Sequence, residues 1–313
     1  MAEVTAPIVG LFLIAGIFLN VLVVIGMLKK QSLVVKDFLV VSFACCSLVE
    51  ICFGFIWEAY GRYIDDSSLT LCKMAGFGTT FPAFTSIIHL VAMAFERYIS
   101  ILHPMTAHKY FVSSKVAFYF IAPSWLFGFV WAFLPIFGWG GYIREKLHTY
   151  RCSVIATDNS AVAQSYNYSL LVLYYFLPSS LIIFCCVCVQ LEIQKMTRRI
   201  SNGLSSAMKE RTKKTERNHF ILVCIVIISY FLSWTPYAIS ACWFTFFNTA
   251  PDELVSYSAL FAKSCMITNP LVYAFFYKEF RETLKNKVFS RNIRVQTVEA
   301  PTSSLQDTKE TNH

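Results

Sequence analysis

The stretch from Leu260 to Phe280, LFAKSCMITNPLVYAFFYKEF, places one lysine, Lys263, in an otherwise apolar run, with Asn269, Pro270 and Tyr273 following it. A lysine in hydrocarbon costs roughly 3 kcal/mol on insertion scales, so a chain that keeps one has a use for it. Two questions organise the remainder of the sequence. One is what neutralises the amine; the other is what chemistry needs it.

Hydrophobic residues make up 56% of the 313, charged residues only 15%, and the mean hydropathy is +0.53. That balance excludes ordinary soluble domains and indicates a membrane protein. Apolar runs of about bilayer length fall at roughly 7 to 28, 38 to 60, 74 to 95, 116 to 138, 166 to 190, 219 to 246 and 254 to 277. The expected fold is an all-α, seven-transmembrane helix bundle over residues 1–285, with a disordered cytoplasmic tail over 286–313.

The net charge of +8 does not mark a nucleic-acid binder, because its distribution follows the spans. Of 27 Lys and Arg, 21 fall on the side of the first loop and the tail, five on the other side, and Lys263 lies within a span. The positive-inside rule therefore puts the N-terminus outside and the tail in the cytoplasm. No cleavable signal peptide is expected, since the first apolar run is full length without a basic segment before it.

Nine of eleven cysteines fall in apolar spans, where a thiol behaves as a small hydrophobe. Cys72 and Cys152 lie at the outer, oxidising side and form the disulfide candidate.

Taken in order, Asn20 in the first span reads as an amide that bonds a neighbouring helix. Glu50, Gly54 and Glu58 share a face of the second span, which must look into the bundle. Glu96, Arg97 and Tyr98 end the third span. Alone, they equally suit a charge pair snorkelling at the interface. Pro178 predicts a kink in the fifth span and Pro236, after Trp234, one in the sixth.

Residues 192 to 218 form a basic inner segment, expected to extend the fifth and sixth spans as helices around a Ser/Gly break. It suits either lipid attraction or the docking of an inner partner. KEFRETLKNKVF after the seventh span alternates as an amphipathic helix along the membrane does. The sequon Asn167-Tyr168-Ser169 begins the fifth span, a poor place for a glycosylation acceptor.

Asn20, Cys72, Glu96-Arg97-Tyr98, Cys152, Pro178, Trp234-Thr235-Pro236 and Asn269-Pro270-Leu271-Val272-Tyr273 occur in order on seven spans. The chain thereby resembles the rhodopsin-class G-protein-coupled receptors over about residues 10 to 285. Lys263, six residues before Asn269, stands where animal opsins carry their retinal-binding lysine. The pattern is nearest that of the cnidarian opsins. The residues ahead of the first span are fewer than opsins usually have, as in a chain shortened at its start.

The resemblance implies a light sensor. A desolvated lysine is nucleophilic and would carry retinal, as 11-cis or another isomer, covalently in a protonated Schiff base. Trp234, Tyr237, Tyr230, Tyr174 and Phe84 would line the pocket. The buried cation needs a carboxylate. The two positions familiar from other opsins hold Ala75 and Lys146, the latter beside Glu145. Glu58 matches the cnidarian counterion position and is favoured, with Glu50 its rival by depth; Glu58 could alternatively pair with Arg62.

Glu216 falls where it can lock Arg97, together with Glu96, in the inactive state. Ser47 replaces the aspartate common in the second span, which speaks against a sodium pocket, and Cys186 replaces an active-state tyrosine of the fifth span. Implied partners are a heterotrimeric G protein, Gs-type and raising cyclic AMP, then arrestin, a receptor kinase and membrane lipid. The implied location is the plasma or photoreceptor membrane. Competing readings are a retinal photoisomerase of opsin fold and a receptor for a diffusible ligand in which Lys263 is incidental. The intact Glu96-Arg97-Tyr98 and NPxxY motifs favour signalling.

Overall fold

In hydrocarbon every backbone N–H and C=O needs a partner within the protein, and helices supply it internally. The computed structural model describes residues 2–64, 68–145, 148–154, 160–201, 207–247 and 251–289. The seven apolar runs are helices α1 (Ala2–Leu28), α2 (35–63), α3 (Leu69–Leu102), α4 (Ser114–Phe133), α5 (161–201), α6 (Ala207–Phe247) and α7 (252–276). Among the described residues six of them are long and apolar enough to cross a membrane, and α1 contributes a shorter apolar segment, Leu13–Leu28. The chain is a multi-pass, all-α membrane protein. The expected helical extensions of α5 and α6 are present; the Ser/Gly break between them lies outside the described residues.

Helix α3 runs through the middle and packs against α2, α4 and α5. Its crossing with α2 depends on two glycines. A Cβ on Gly54 would come within 3.0 Å of the Gly78 backbone, and one on Gly78 would overlap the Phe53 carbonyl. Small residues let two backbones approach in this way. At that contact α2 widens into a π turn, Ile51–Phe55, and α5 does the same at Val172–Phe176, just before Pro178. The kink expected from Pro178 thus coincides with a π turn, a common partner of helix bends.

Proline in a helix interior leaves the carbonyl four residues earlier without its usual donor. For Pro270 that carbonyl belongs to Met266, and Asn20 Nδ2 donates to it at 2.9 Å while also donating to Gly16 at 2.8 Å. The Asn20 side chain, 1% exposed, therefore repairs α7 from α1. This is the interhelical role the sequence suggested.

At the inner end, Asp37 is fully buried and accepts from Lys30 Nζ at 3.0 Å, Val34 N at 3.0 Å and the Tyr277 hydroxyl at 2.9 Å. These bonds tie the first inner loop and the start of α2 to the end of α7. A short helix follows, α8 (Lys278–Thr283), continued by a π turn to Phe289. Phe280 is buried against Gly26 of α1, where no side chain larger than hydrogen fits beneath its ring. The amphipathic helix is thereby anchored to the bundle. The first residues of the expected tail, 286–289, belong to the π turn that continues α8, and residues 290–313 lie outside the described residues.

Replacing Asn20 by Leu strips the Met266 carbonyl of its donor, a loss of about 1 to 3 kcal/mol. The thermal unfolding midpoint in detergent is expected to fall by several degrees. An unchanged midpoint would show that the α1–α7 bond carries no stability.

Candidate functional site

Helix α7 is interrupted where Lys263 stands. After Ala262 the hydrogen bonds tighten to three-residue steps: Ser264 N to Phe261 O at 3.0 Å, Met266 N to Lys263 O at 3.3 Å and Ile267 N to Ser264 O at 3.0 Å. Hydroxyls from α6 support the break. Ser233 Oγ and Ser264 Oγ are 3.3 Å apart, and Ser229 Oγ donates to Thr268 Oγ1 at 3.0 Å.

From this break Lys263 reaches toward α2. Its Nζ lies 3.3 Å from Glu58 Oε2 and 4.2 Å from the centroid of the Phe55 ring. The side chains are 18% and 8% exposed, so the pair is largely removed from solvent. A carboxylate and an aromatic face both stabilise a cation in such surroundings.

The π turn explains how α2 presents two acids to one amine. Eight residues of regular helix would put Glu50 and Glu58 about 80° apart, whereas the residue added by a π turn brings them to within about 20°. Glu58 meets the ammonium directly, and Glu50, 5% exposed, lines the cavity into which Lys263 projects. The side chains of Glu145, Lys146 and Arg62, invoked in the other pairings, lie outside the described residues.

Two adjoining cavities share Phe84, Val154, Trp234 and Tyr237. The first holds Lys263, Glu50, Thr79 and Thr80; the second continues between α3, α5 and α6 past Ile87, Asn167, Tyr174, Tyr175 and Tyr230. All five expected pocket aromatics are therefore in the walls. Phe84 stacks on Tyr174 with centroids 4.0 Å apart, and Tyr230 stacks on Trp234 at 5.7 Å, with Tyr237 edge-on at 6.0 Å. The Tyr230 hydroxyl donates to Ala83 O at 3.2 Å across α3.

A hairpin covers the outer end. Strand β1 (Ile143–Glu145) pairs antiparallel with β2 (His148–Ser153) in the register Ile143 with Ser153 and Arg144 with Cys152. Cys152 is bonded to Cys72 of α3, with Cα atoms 5.3 Å apart, so the expected disulfide pins β2 over the cavity that Cys152 and Val154 help to line. Before the hairpin, Tyr142 lies on Gly76 of α3 and donates to Ala132 O at 2.6 Å. Burial pushes its phenol well above the usual range, so it stays a neutral donor.

At the opposite end, Arg97 binds Glu96 through two nitrogens at 2.5 Å each and Glu216 Oε2 of α6 at 2.9 Å. Ser100 Oγ also donates to Glu96, at 2.9 Å. Arg97 and Glu96 are 2% and 3% exposed, so these residues do not snorkel; they bridge α3 to α6. Tyr98 packs among Phe95, His103 and Phe184. Asn269, just before Pro270, and Tyr273, just after it, are buried in α7.

Residues 17–273 match the model of the 7 transmembrane receptor (rhodopsin family). The chain belongs to the rhodopsin family of seven-transmembrane receptors. It is a receptor rather than an enzyme. It is similar to green-sensitive opsin-1 of Carassius auratus, 29% identical over 87% of this chain and 77% of the relative. With melanopsin-A of Gadus morhua it shares 30% identity over 69% of the receptor but only 40% of the relative. The crystal structure of squid rhodopsin superposes with a TM-score of 0.78 at 24% identity, covering 89% of this receptor and 82% of the squid chain. That likeness attests the bundle.

Several residues of the site had no sequence signal. Phe55 beneath Lys263 and the two π turns follow from helix packing that spacing does not encode. Asn167 did carry a signal, its sequon, but it is 5% exposed and stands in the wall of the second cavity.

Glu216 is 34% exposed on its side chain, so its bond to Arg97 is screened and worth about 0.5 to 1 kcal/mol. Glu216→Gln is expected to shift the α3–α6 distance distribution, read by paired spin labels at the inner ends, about two- to fivefold toward longer separations. An unaltered distribution would show that Glu216 does not hold α6.

Proposed function

We propose that this receptor is a light-sensing opsin that carries retinal covalently on Lys263 and activates a heterotrimeric G protein. The observation that carries the reading is an amine paired to a buried carboxylate at 3.3 Å, opening into an aromatic-walled cavity beneath a disulfide-pinned hairpin. These residues fit the ligand. The amine suits an aldehyde, flat aromatic walls suit a polyene, and a carboxylate suits the cation that attachment leaves at Nζ. When bound, retinal supplies a double bond that light isomerises.

The chain's own groups do the rest. Glu58 holds the positive charge and its proton at Nζ, with Glu50 as the second acid on the same side. Phe84, Tyr174, Tyr230, Trp234 and Tyr237 confine the ligand, and the hairpin excludes water. Trp234 sits on α6, the helix whose inner end carries Glu216, so a push on the outer half of α6 strains the bond to Arg97. The helix pair is the two-state element that a ligand biases. The Asn269 Oδ1 and Tyr273 hydroxyl are buried without hydrogen-bond partners among the described residues, and supply polar contacts when the inner ends rearrange.

The basic inner face would dock the G protein, and arrestin and a receptor kinase in turn. The tail is cytoplasmic and the N-terminus outside, in a plasma or photoreceptor membrane, with lipid along α8. Glu58 is what supports the cnidarian likeness, and with it the Gs-type choice and rising cyclic AMP.

Loaded with retinal, the receptor is expected to absorb in the visible and to accelerate guanine-nucleotide exchange on a Gs-type protein only under light. In Glu58→Gln the pigment is expected to absorb in the ultraviolet near neutral pH, because Nζ loses its proton without the carboxylate. An unchanged spectrum would transfer the counterion role to Glu50. Absence of light-dependent exchange would leave a photoisomerase.

A further inference from the structure

The second cavity holds one group that the retinal reading does not use. Asn167, on α5, is 5% exposed and its Nδ2 is buried with no hydrogen-bond partner. The hydroxyls of three tyrosines in the wall are engaged. The Tyr174 hydroxyl donates to Phe127 O at 3.3 Å, Tyr175 meets Thr235 at 3.3 Å and Tyr230 donates to Ala83 O at 3.2 Å. Trp234 Nε1 is also buried without a hydrogen-bond partner, but Trp234 belongs to both cavities and to the aromatic walls already assigned to the polyene. An amide left unpaired in an apolar wall is costly, so it is normally matched by something that enters.

The position of Asn167 says which part of the ligand it meets. Lys263 opens into the first cavity, and Asn167 lines only the second, beyond the shared residues Phe84, Val154, Trp234 and Tyr237. A ligand tethered at Lys263 by its aldehyde carbon therefore presents its ring end to α5. Given the retinal reading above, we propose that Asn167 is a specificity residue for the ring and that the preferred chromophore is a retinal bearing oxygen on that ring. A ring hydroxyl oxygen accepts a hydrogen bond, which matches the unpartnered Nδ2 donor. The same burial removes Asn167 from the reach of glycosylation, which leaves its sequon without a modification role.

The test is a competition. The apoprotein is offered equal amounts of retinal and 3-hydroxyretinal, and separately of retinal and 4-hydroxyretinal, all as the same isomer, and bound chromophores are extracted as oximes and quantified. One neutral hydrogen bond predicts a preference for one of the hydroxylated forms of about three- to tenfold. In Asn167→Ala and Asn167→Leu the ratio of hydroxylated to plain retinal is expected to fall to about one. The ratio is internal to the folded fraction, so a poorly folding Leu variant leaves the Ala variant to decide. Equal uptake by the wild type, or a preference that survives both substitutions, overturns the proposal. A wild type that forms no pigment with plain retinal either overturns the ligand reading and this inference with it.

Discussion

The ion pair between Lys263 and Glu58 sets the terms for the outer half of the bundle. Two charges withdrawn from water are tolerable only when geometry brings them together and neighbours complete the shell. Each structural departure from a plain helix near this point serves that end. The tight turns at Lys263 aim its stem out of α7, and the π turn of α2 rotates Glu58 toward it while placing Phe55 under the ammonium. The π turn stands where Gly54 and Gly78 let α2 and α3 touch. Removing either charge alone would leave the other buried and unmatched.

The inner half repeats the principle with different residues. Arg97 is buried and satisfied by Glu96, then shared with the partly exposed Glu216. The first bond is strong and local to α3; the second is weak and crosses to α6. The bond that crosses between helices is thus the one solvent already weakens. Helix α6 joins the halves, carrying Tyr230, Trp234 and Tyr237 in the cavity walls and Glu216 at the other end.

Much of this was legible in the sequence. The seven spans follow from hydropathy, which sums over many residues and tolerates local irregularity. Lys263 stood out because one amine in an apolar run has no cheap explanation, and Cys72 with Cys152 because nine other cysteines fall in spans. The resemblance suggested that Arg97 pairs with Glu96 and Glu216, and the three side chains do meet. The contest between Glu58 and Glu50 was not decidable from spacing. Depth counts assume a regular helix, and the extra residue in the π turn brings Glu58 round to the same side of α2 as Glu50. The break in α7 was hidden for the same reason, since it depends on hydroxyls of α6. Asn167 stands near the start of a span in the sequence, and its place in the cavity wall is a matter of helix rotation.

The proposed attachment of retinal depends on one amine. Borohydride reduction of the retinal-loaded receptor, followed by peptide mass analysis, should find a stable retinyl adduct on Lys263 and none in Lys263→Ala. Correctly folded receptor that yields no adduct, or an adduct on another lysine that persists in Lys263→Ala, would contradict it.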